Sequence, residues 1–477
     1  MQPDPASLKS NIRKALTDLH LRAAVKKATD HSLAKRAEVV AELPDWEELR
    51  EEAAQIRDRT LAELDRHLLT LEERALAKGI RVHWAKNAAE ANKIIGDICQ
   101  ASAGAVRQPS SPKPIIAKSK SMTTEEIGLT PHLEKLGFEV VETDLGEYIV
   151  QIAGQMPSHI TAPALHLSRS DVGKLFSDKL GVDYVEDPAE LIGIARKVLR
   201  EKFLKADIGI TGANFAIAET GTPLMVENEG NGRLVGAIPR VQIIVMGIEK
   251  VVPTWDDLLP LLELLPRSAT GQRITGSVLY FNRPSTSEDR DGPEELHLVI
   301  LDNGRTKALE DPQLRSILRC IRCGACLNVC PVYRHTGGHA YGWVYPGPIG
   351  AVLAPIFLGL EKAEDHPFAS SLCGRCSEIC PVKIELHHHL LTLRSRITTE
   401  KSKLTTERGM MAAWQNVMDR PELYRVLSEM PRFLFYDILG GKWSPNLPIW
   451  GRERSGPDIA RQSFSEMFKK EFPEDDV

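Results

Sequence analysis

The sequence predicts an α/β domain with a largely parallel sheet, preceded by a helical arm and followed by a cysteine-rich helical region. Two observations lead to this fold class. Strand-like apolar segments alternate with helix-like segments over residues 79–304, as in proteins built from βαβ units. Seven of the eight cysteines then fall between Cys320 and Cys380, so the region around them has a composition of its own.

The first segment, residues 1–78, is a predicted helical arm. It is rich in charged residues, and "LAELDRHLLTLEERALAKG" places apolar residues at helical spacing. Gly79 follows that pattern at the position where glycine commonly ends a helix.

Residues 79–304 form the predicted α/β domain. Strands are expected over 80–86, 113–119, 137–144, 241–252 and 296–303, with a strand pair over 207–227. Helices are expected over 87–102, 171–181, 188–206 and 255–265. Thr123 and Glu126 have the spacing of a capping box, which predicts a helix starting at Thr123.

Residues 305–400 are the predicted cysteine-rich domain, with short helices and a Gly/Pro/aromatic insert, "YRHTGGHAYGWVYPGPIG". Residues 401–477 are expected to form a helical segment and then an irregular tail. The composition of "SPNLPIWGRERSGP" in that tail predicts a segment that packs on another surface.

Charge and cysteine usage limit the possible functions. The 60 basic and 65 acidic residues give a net charge of -5, so no electrostatic feature predicts nucleic acid as a partner. The N-terminus lacks the apolar core of a signal peptide, and no transmembrane segment is expected, because the run 349–360 is short and contains Pro355. Clustered free thiols indicate a reducing compartment, hence a cytoplasmic location. The isolated Cys99 is predicted to be a buried helix residue.

Two cysteine runs provide the most specific signal. "CIRCGACLNVCP", residues 320–331, matches the C-x2-C-x2-C-x3-C-P run of ferredoxins, and "CGRCSEICP", residues 373–381, repeats its last three cysteines. In two-cluster proteins the last cysteine of each run ligates the other cluster. The predicted ligands are Cys320, Cys323, Cys326 and Cys380 for a first [4Fe–4S] cluster, and Cys330, Cys373 and Cys376 for a second.

The second cluster lacks one cysteine, because Ser370 stands where the first run has Cys320. Ser370 or Ser371 could ligate the fourth iron, a partner or solvent oxygen could do so, or the site could hold three irons. Ser370 could instead cap the helix entering Cys373. A structural zinc site is the alternative to both clusters, but zinc sites do not use the crossed run with its prolines.

No dinucleotide, flavin or nucleotide site is evident. The sequence has no G-x-G-x-x-G that opens a helix after a strand and no Walker A loop, and "GITGANFAIAETG" matches neither.

Several motifs resemble the lactate-utilisation iron-sulfur protein B family. They are "RCIRCGACLNVCPVYR", "YPGPIG", "LCGRCSEICPVKI", "AKSKSMTTEEIGL", "VVETDLGEYIVQ", "SHITAPALH" and "GITGANFAIAETGT". The resemblance implies an α/β domain of the ribose-phosphate-isomerase and coenzyme A transferase type, followed by a ferredoxin-like two-cluster domain.

The resemblance also implies an electron-transfer subunit of a system that oxidises L-lactate to pyruvate, rather than a complete enzyme. The implied partners are a second lactate-utilisation-domain protein and a cysteine-rich heterodisulfide-reductase-like protein. An alternative is a non-catalytic iron-sulfur regulator or scaffold whose α/β domain binds a metabolite.

The α/β domain also contains family-like polar residues, of which Lys120, His159 and Glu219 are the catalytic candidates. A 2-hydroxy acid needs a cation for its carboxylate and a base for its hydroxyl. Caps and turns are the structural alternative for each residue. The other members of the set are Lys118, Ser119, Ser121, Glu142, Asp144, His166, Asn214 and Thr220. The run His387, His388, His389 is predicted to be a solvated helix face rather than a metal site.

Overall fold

The computed structural model describes residues 4–103, 113–400, 406–433 and 460–472. The chain up to Thr398 forms one compact unit, and the chain from Thr399 forms a second. The tail motif "SPNLPIWGRERSGP" lies outside the described residues.

The N-terminal segment is helical, as predicted. Asp18 begins the longest of its helices, because its carboxylate accepts a hydrogen bond from the backbone N–H of Leu21. The helices are α1 (Leu8–Thr17), α2 (Leu19–Ala41), α3 (Trp46–Ala62) and α4 (Leu64–Ala77).

A six-stranded parallel sheet forms the centre of the α/β domain, which confirms the mixed α/β class. Its strands are β1 (Arg81–Ala85), β2 (Ile115–Lys118), β3 (Glu139–Glu142), β4 (Ala206–Gly212), β7 (Val241–Gly247) and β10 (Glu295–Leu301). Their order in the sheet is β1-β10-β7-β4-β2-β3, and every neighbouring pair is parallel. β7 is buried along its whole length, as its apolar sequence predicted.

A second, four-stranded sheet has the order β8-β5-β6-β9. Its strands are β5 (Phe215–Ile217), β6 (Thr222–Glu227), β8 (Val251–Val252) and β9 (Ser277–Tyr280). The predicted strand pair over 207–227 is therefore wrong in detail, because β4 belongs to the large sheet and only β5 and β6 pair with each other. Asn214 marks the break, since its side-chain carbonyl accepts a hydrogen bond from the backbone N–H of Val226.

Helices connect the strands. They are α5 (Ala88–Ala103), α6 (Met122–Glu126), α7 (Leu129–Lys135), α8 (Leu145–Ile152), α9 (Arg169–Leu180), α10 (Pro188–Lys205), α11 (Asn231–Ala237) and α12 (Trp255–Ala269). Cys99 in α5 is fully buried, as predicted. The predicted start at Thr123 is wrong by two residues, because Ser121 is the N-cap of α6 and accepts from the N–H of Thr124.

The cysteine-rich segment is helical, with short helices around the cysteines and two longer ones, Gly347–Leu358 and Leu386–Glu400. The Gly/Pro/aromatic insert folds inward, so that Tyr341, Trp343 and Tyr345 are buried. The helices are α13 (Arg305–Glu310), α14 (Ala325–Val329), α15 (Pro331–Thr336), α16 (Gly347–Leu358), α17 (Arg375–Glu378) and α18 (Leu386–Glu400).

The second unit contains α19 (Thr406–Met418), α20 (Pro421–Phe433) and α21 (Phe464–Glu471). Apolar side chains such as Met410, Trp414 and Met430 are exposed on its helices. Among the described helices of the whole chain, none has the length and hydropathy needed to cross a bilayer.

Candidate metal centre and neighbouring cavity

The first cysteine run forms a tight loop followed by a helix. Arg322, between Cys320 and Cys323, and Gly324 both have left-handed backbone conformations, with φ of 62° and 77°. Gly324 is the N-cap of α14, and a Cβ there would lie 3.1 Å from Cε1 of His159. The loop therefore needs glycine at this position, where L side chains are strained and His159 leaves little room.

Cys330 leaves the first loop on a different element. It lies after α14 and is the N-cap of α15, whose first residue is Pro331. This placement agrees with the expectation that the fourth cysteine of the run opens a helix directed away from the first three.

The second run repeats the backbone of the first. Leu372, which precedes Cys373, has φ of 55°, and Gly374, which follows it, has φ of 80°. Gly374 is the N-cap of α17, which contains Cys376. The alternative in which Ser370 caps this helix is therefore wrong; its hydroxyl accepts a hydrogen bond from the N–H of Leu372 at 3.1 Å instead.

The structure brings the seven thiols into two adjoining groups. Burial, together with the neighbouring Cys380 and Cys320, raises the pKa of Cys323 to about 12. Burial also raises the pKa of Cys376 to about 12, and there the neighbouring cysteines are Cys330 and Cys373. Cys326 is influenced by the other three predicted ligands of the first cluster, and also by Cys376, so the two groups lie next to each other.

These donors fit iron–sulfur clusters. Thiolate is a soft ligand that iron–sulfur clusters use, and several buried thiolates this close to one another repel unless a cation binds them. The raised pKa values of Cys323, Cys376 and Cys380, the last about 11 with burial as its main cause, express that cost. Bound metal removes it, because metal binding displaces the thiol protons.

Arginines from the N-terminal helices hold the second loop. Arg50 donates from Nη2 to the backbone carbonyls of Cys380 at 2.8 Å and Glu378 at 2.7 Å. Arg36 donates to the carbonyl of Ile379 at 3.2 Å. The sequence alone does not indicate these two residues, since the arm has many charged positions and nothing in the spacing of Arg36 and Arg50 distinguishes them.

The second group reaches the protein surface at one of its cysteines. Cys373 is the exposed member of the seven. Its pKa is lowered, mainly by the backbone N–H of Arg375 and further by the hydroxyl of Ser371. The hydroxyl of Ser370, in contrast, accepts a hydrogen bond from the backbone N–H of Leu372.

The histidine run lies only partly on a solvated face. His388 is exposed, but His389 is buried, with Nε2 2.8 Å from the hydroxyl of Ser316. His387 is half-buried, and its Nδ1 lies 2.7 Å from the hydroxyl of Ser377. The prediction of a solvated face is wrong for His389, because that side of α18 packs against residues 315–319.

Several family-like polar residues line one cavity at the carboxyl ends of β2 and β4. Its volume is about 330 Å³. The lining members of the set are Ser119, Lys120, Ser121, Asp144 and Asn214. Lys118 is buried behind them and pairs with Glu142 at 2.7 Å and Glu125 at 2.8 Å, which is a structural role.

The remaining candidates lie away from the cavity lining. His159 is buried, its pKa is lowered by burial to about 3, and its Nε2 lies 3.1 Å from Oδ1 of Asn328 in α14. His166 contacts Gln155 at 2.6 Å. Glu219 accepts from the N–H of Trp255 at 2.8 Å, at the start of α12. Thr220 donates to the hydroxyl of Thr222 at 3.0 Å.

A parallel α/β domain joined to seven cysteines in two adjoining groups defines an iron–sulfur protein of the two-cluster class. Family models agree with this class: an LUD domain matches residues 69–301, a 4Fe-4S dicluster domain residues 316–384, and a lactate utilisation protein B C-terminal domain residues 397–472. The chain belongs to the lactate utilisation protein B family, which confirms the resemblance seen in its motifs.

Relatives named lactate utilization protein B match along most of the chain. The Macrococcus caseolyticus protein is 48% identical over 81% of this chain and 80% of its own length. The Oceanobacillus iheyensis protein is 43% identical over 96% of this chain and 95% of its own length. A crystal structure of a DUF162 family protein from Deinococcus radiodurans, 16% identical, covers 50% of this chain and 98% of its own with a TM-score of 0.27, too low to support an argument.

Together these findings make the chain a lactate-utilisation iron–sulfur protein with a 4Fe–4S dicluster domain. The expected cofactor class, iron–sulfur clusters of the 4Fe–4S type, is therefore confirmed.

Proposed function

We propose that this protein transfers electrons within a multi-protein system that oxidises L-lactate to pyruvate in the cytoplasm. The observation that supports this most is the arrangement of seven thiols in two adjoining groups. Two clusters held side by side give a path for electrons, whereas a sensor needs only one exposed cluster.

The proposed ligands follow from the grouping and from the crossed pattern of the two runs. The first cluster takes Cys320, Cys323, Cys326 and Cys380, and the second takes Cys330, Cys373 and Cys376. When bound, such clusters accept and donate single electrons. The loops that would hold them are fixed by the chain itself, since Arg36 and Arg50 bind the second loop and the first loop leads into the buried helix α14.

The oxidation of lactate releases two electrons and two protons, so the complete reaction needs a site that takes an electron pair. This chain has no evident motif for an organic cofactor with that capacity. We therefore place the complete activity in a complex with a second lactate-utilisation-domain protein and a cysteine-rich heterodisulfide-reductase-like protein. Within this chain we propose a helical arm (1–78), an α/β domain related to ribose-phosphate isomerases and coenzyme A transferases (79–304), a cluster domain (305–400) and a C-terminal tail (401–477).

The test is anaerobic reduction by substrate. The complex is purified with its clusters oxidised, L-lactate is added, and the visible absorbance of the clusters is followed. The proposal expects bleaching by L-lactate in the complex and none in this chain alone. An assembled complex that turns over lactate while these clusters stay oxidised would contradict the proposal and favour a regulatory or scaffolding role.

A further inference from the structure

The cavity of about 330 Å³ lies between the α/β domain and the first cysteine loop. Strands β2 and β4 end at it with Lys118 and Gly212, and Arg322 and Tyr345 contribute from the cysteine-rich segment. In parallel α/β sheets, ligands bind outside the carboxyl ends of the strands. Here that position also adjoins the loop that contains Cys320 and Cys323.

Lys250 is a buried cation that lines this cavity. Only 6% of the residue is exposed, and its ammonium forms no ion pair or hydrogen bond with any residue that the structure describes. Its neighbour Glu249 does not satisfy it, because that carboxylate contacts Arg305 at 2.5 Å and Arg322 at 3.4 Å. Burial lowers the pKa of Lys250 to about 8, so the ammonium still predominates at neutral pH.

Arg322 is a second cation at this cavity, with 9% of its side chain exposed. The residue lines the same cavity, and its Nη1 is buried without a hydrogen-bond partner among the described residues. The other nitrogen, Nη2, lies 3.4 Å from Glu249, and the guanidinium stacks over the ring of Tyr345 at 4.9 Å. These contacts fix the side chain and leave Nη1 unpaired among the described residues.

The charges behind the cavity wall are unequal. Glu126 binds Arg305 at 2.9 Å and accepts a hydrogen bond from the hydroxyl of Tyr345 at 2.9 Å. Four cations thus lie near two carboxylates whose side chains are at most 1% exposed; the cations are Arg57, Lys250, Arg305 and Arg322, and the carboxylates are Glu126 and Glu249. Buried charge without a partner is costly, and an anion bound between Lys250 and Arg322 would offset it.

We propose that this cavity binds a small monocarboxylate with an oxygen on its second carbon, a 2-hydroxy or 2-oxo acid, whose carboxylate lies between Lys250 and Arg322. The choice of acid rests on the proposed function; the anion site rests on the two unsatisfied cations. Asp144, Glu227 and Glu229 also line the cavity and disfavour a dianion such as phosphate. The hydroxyls of Ser119 and Ser121 suit the second oxygen.

The position of the site has a consequence for the first cluster. A carboxylate at Arg322 adds negative charge beside Cys320 and Cys323, so binding lowers the reduction potential of the first cluster. The competing explanation is that Lys250 and Arg322 only neutralise that cluster. This competing explanation also predicts that Lys250→Gln lowers the reduction potential of the first cluster. It differs in predicting that added L-lactate does not change that potential.

The experiment uses the full chain with clusters assembled anaerobically. Binding of L-lactate, pyruvate and inorganic phosphate is measured by equilibrium dialysis, and the potential of the first cluster is titrated with and without L-lactate. The variants are Lys250→Gln, Lys250→Arg and the exposed control Lys307→Gln. Ala269→Phe, which fills the cavity from α12 without removing a cation, is a second test if Lys250→Gln loses iron.

The proposal expects wild type and Lys307→Gln to bind L-lactate and pyruvate and not phosphate. Binding should fall at least tenfold in Lys250→Gln and Ala269→Phe and be partly restored in Lys250→Arg. L-lactate should lower the potential of the first cluster in wild type and leave it unchanged in Lys250→Gln. Unchanged binding in both Lys250→Gln and Ala269→Phe, tighter binding of phosphate than of lactate, or no binding to wild type would overturn it.

The two proposals fail in different ways. If L-lactate reduces the clusters of the assembled complex but does not bind this chain, the cavity inference is wrong and electron transfer stands. If the acid binds here but never reduces the clusters in the complex, the site stands and the electron-transfer role fails.

Discussion

Ser370 occupies the same position in the second cysteine loop as Cys320 occupies in the first. The backbone N–H of Leu372 donates to Oγ of Ser370 at 3.1 Å, and the N–H of Arg322 donates to Sγ of Cys320 at 3.4 Å. Both donors have left-handed backbones. The side chain of Ser370 is thus held as a ligand would be, with an oxygen in place of sulfur.

This relationship predicts a weakly held iron in the second cluster. Oxygen is a harder donor than thiolate and a weaker ligand for iron in a sulfide cluster, so the corner facing Ser370 should lose its iron first on brief exposure to air. Ser370→Cys should make the cluster resistant. The measurement is the yield of the three-iron signal in electron paramagnetic resonance.

Ser371→Cys is the matched control, because it introduces the same thiol one residue away. It should protect much less than Ser370→Cys. Equal yields of the three-iron signal in wild type and Ser370→Cys would show that this corner is neither vacant nor weakly bound.

The crossed ligand assignment predicts the effect of Cys330→Ala. Although Cys330 lies in the first run, its removal should damage the second cluster and leave the first intact, as judged by iron content and paramagnetic resonance. Cys99→Ala is the control, since Cys99 is a buried thiol far along the chain in α5 and should leave both clusters unchanged. Loss of the first cluster alone in Cys330→Ala would refute the assignment.

The buried ion pairs behind the cavity predict a large stability effect. Glu126 binds both Nη atoms of Arg305 at 2.9 Å, and both side chains are fully buried. Glu126→Gln leaves the Arg305 charge undercompensated, and breaking such a pair typically costs about 3–5 kcal/mol of unfolding free energy. Chemical denaturation measures it.

The comparison for that experiment is Glu63→Gln, which removes an exposed pair with Arg66. Exposed pairs contribute little to stability, so its unfolding midpoint should stay close to that of wild type. Similar losses of unfolding free energy in both variants would show that the buried Glu126–Arg305 pair stabilises the fold no more than the exposed pair does.

The burial of His297 predicts that the protein loses stability in mild acid. Its Nδ1 lies 3.0 Å from Nε2 of His83, and burial, together with His83, lowers its pKa to about 4. An unfolded histidine titrates near 6.5, so the unfolded state binds more protons between about pH 6.5 and 4. The folded state with neutral His297 is therefore fully stable above about pH 6.5, and it loses stability as the pH falls from there to about 4.

Denaturation at a series of pH values tests this prediction. His297→Gln should flatten the fall in unfolding free energy across the window, by at most about 1.4 kcal/mol per pH unit. His388→Gln, which changes an exposed histidine, should keep the wild-type slope. A wild-type slope in His297→Gln would contradict the assignment.

The sequence predicted the parallel sheet and the cysteine loops because both are local patterns. Buried parallel strands are continuous apolar runs, as in β7, and the spacing of Cys320, Cys323 and Cys326 determines a loop by itself. Lys250 and Arg322 could not be found this way. They meet through the fold from positions far apart, and a single lysine after a strand has no pattern that distinguishes it.

Two smaller differences between the sequence-based expectation and the structure have local causes. Ser121 and Thr123 both suit a helix start, and the structure uses Ser121, whose backbone is extended while Thr123 is already helical. His389 is buried because it faces Ser316. The periodicity of α18 alone does not show this neighbour.

We propose that this chain holds two iron–sulfur clusters close enough to exchange electrons. The paramagnetic resonance spectrum of the anaerobically purified, fully reduced chain tests this most directly. We expect iron rather than zinc, about eight irons when both sites are filled, and a spectrum broadened by magnetic interaction between two reduced clusters. Zinc in place of iron, or a single signal without interaction at full iron loading, would contradict it.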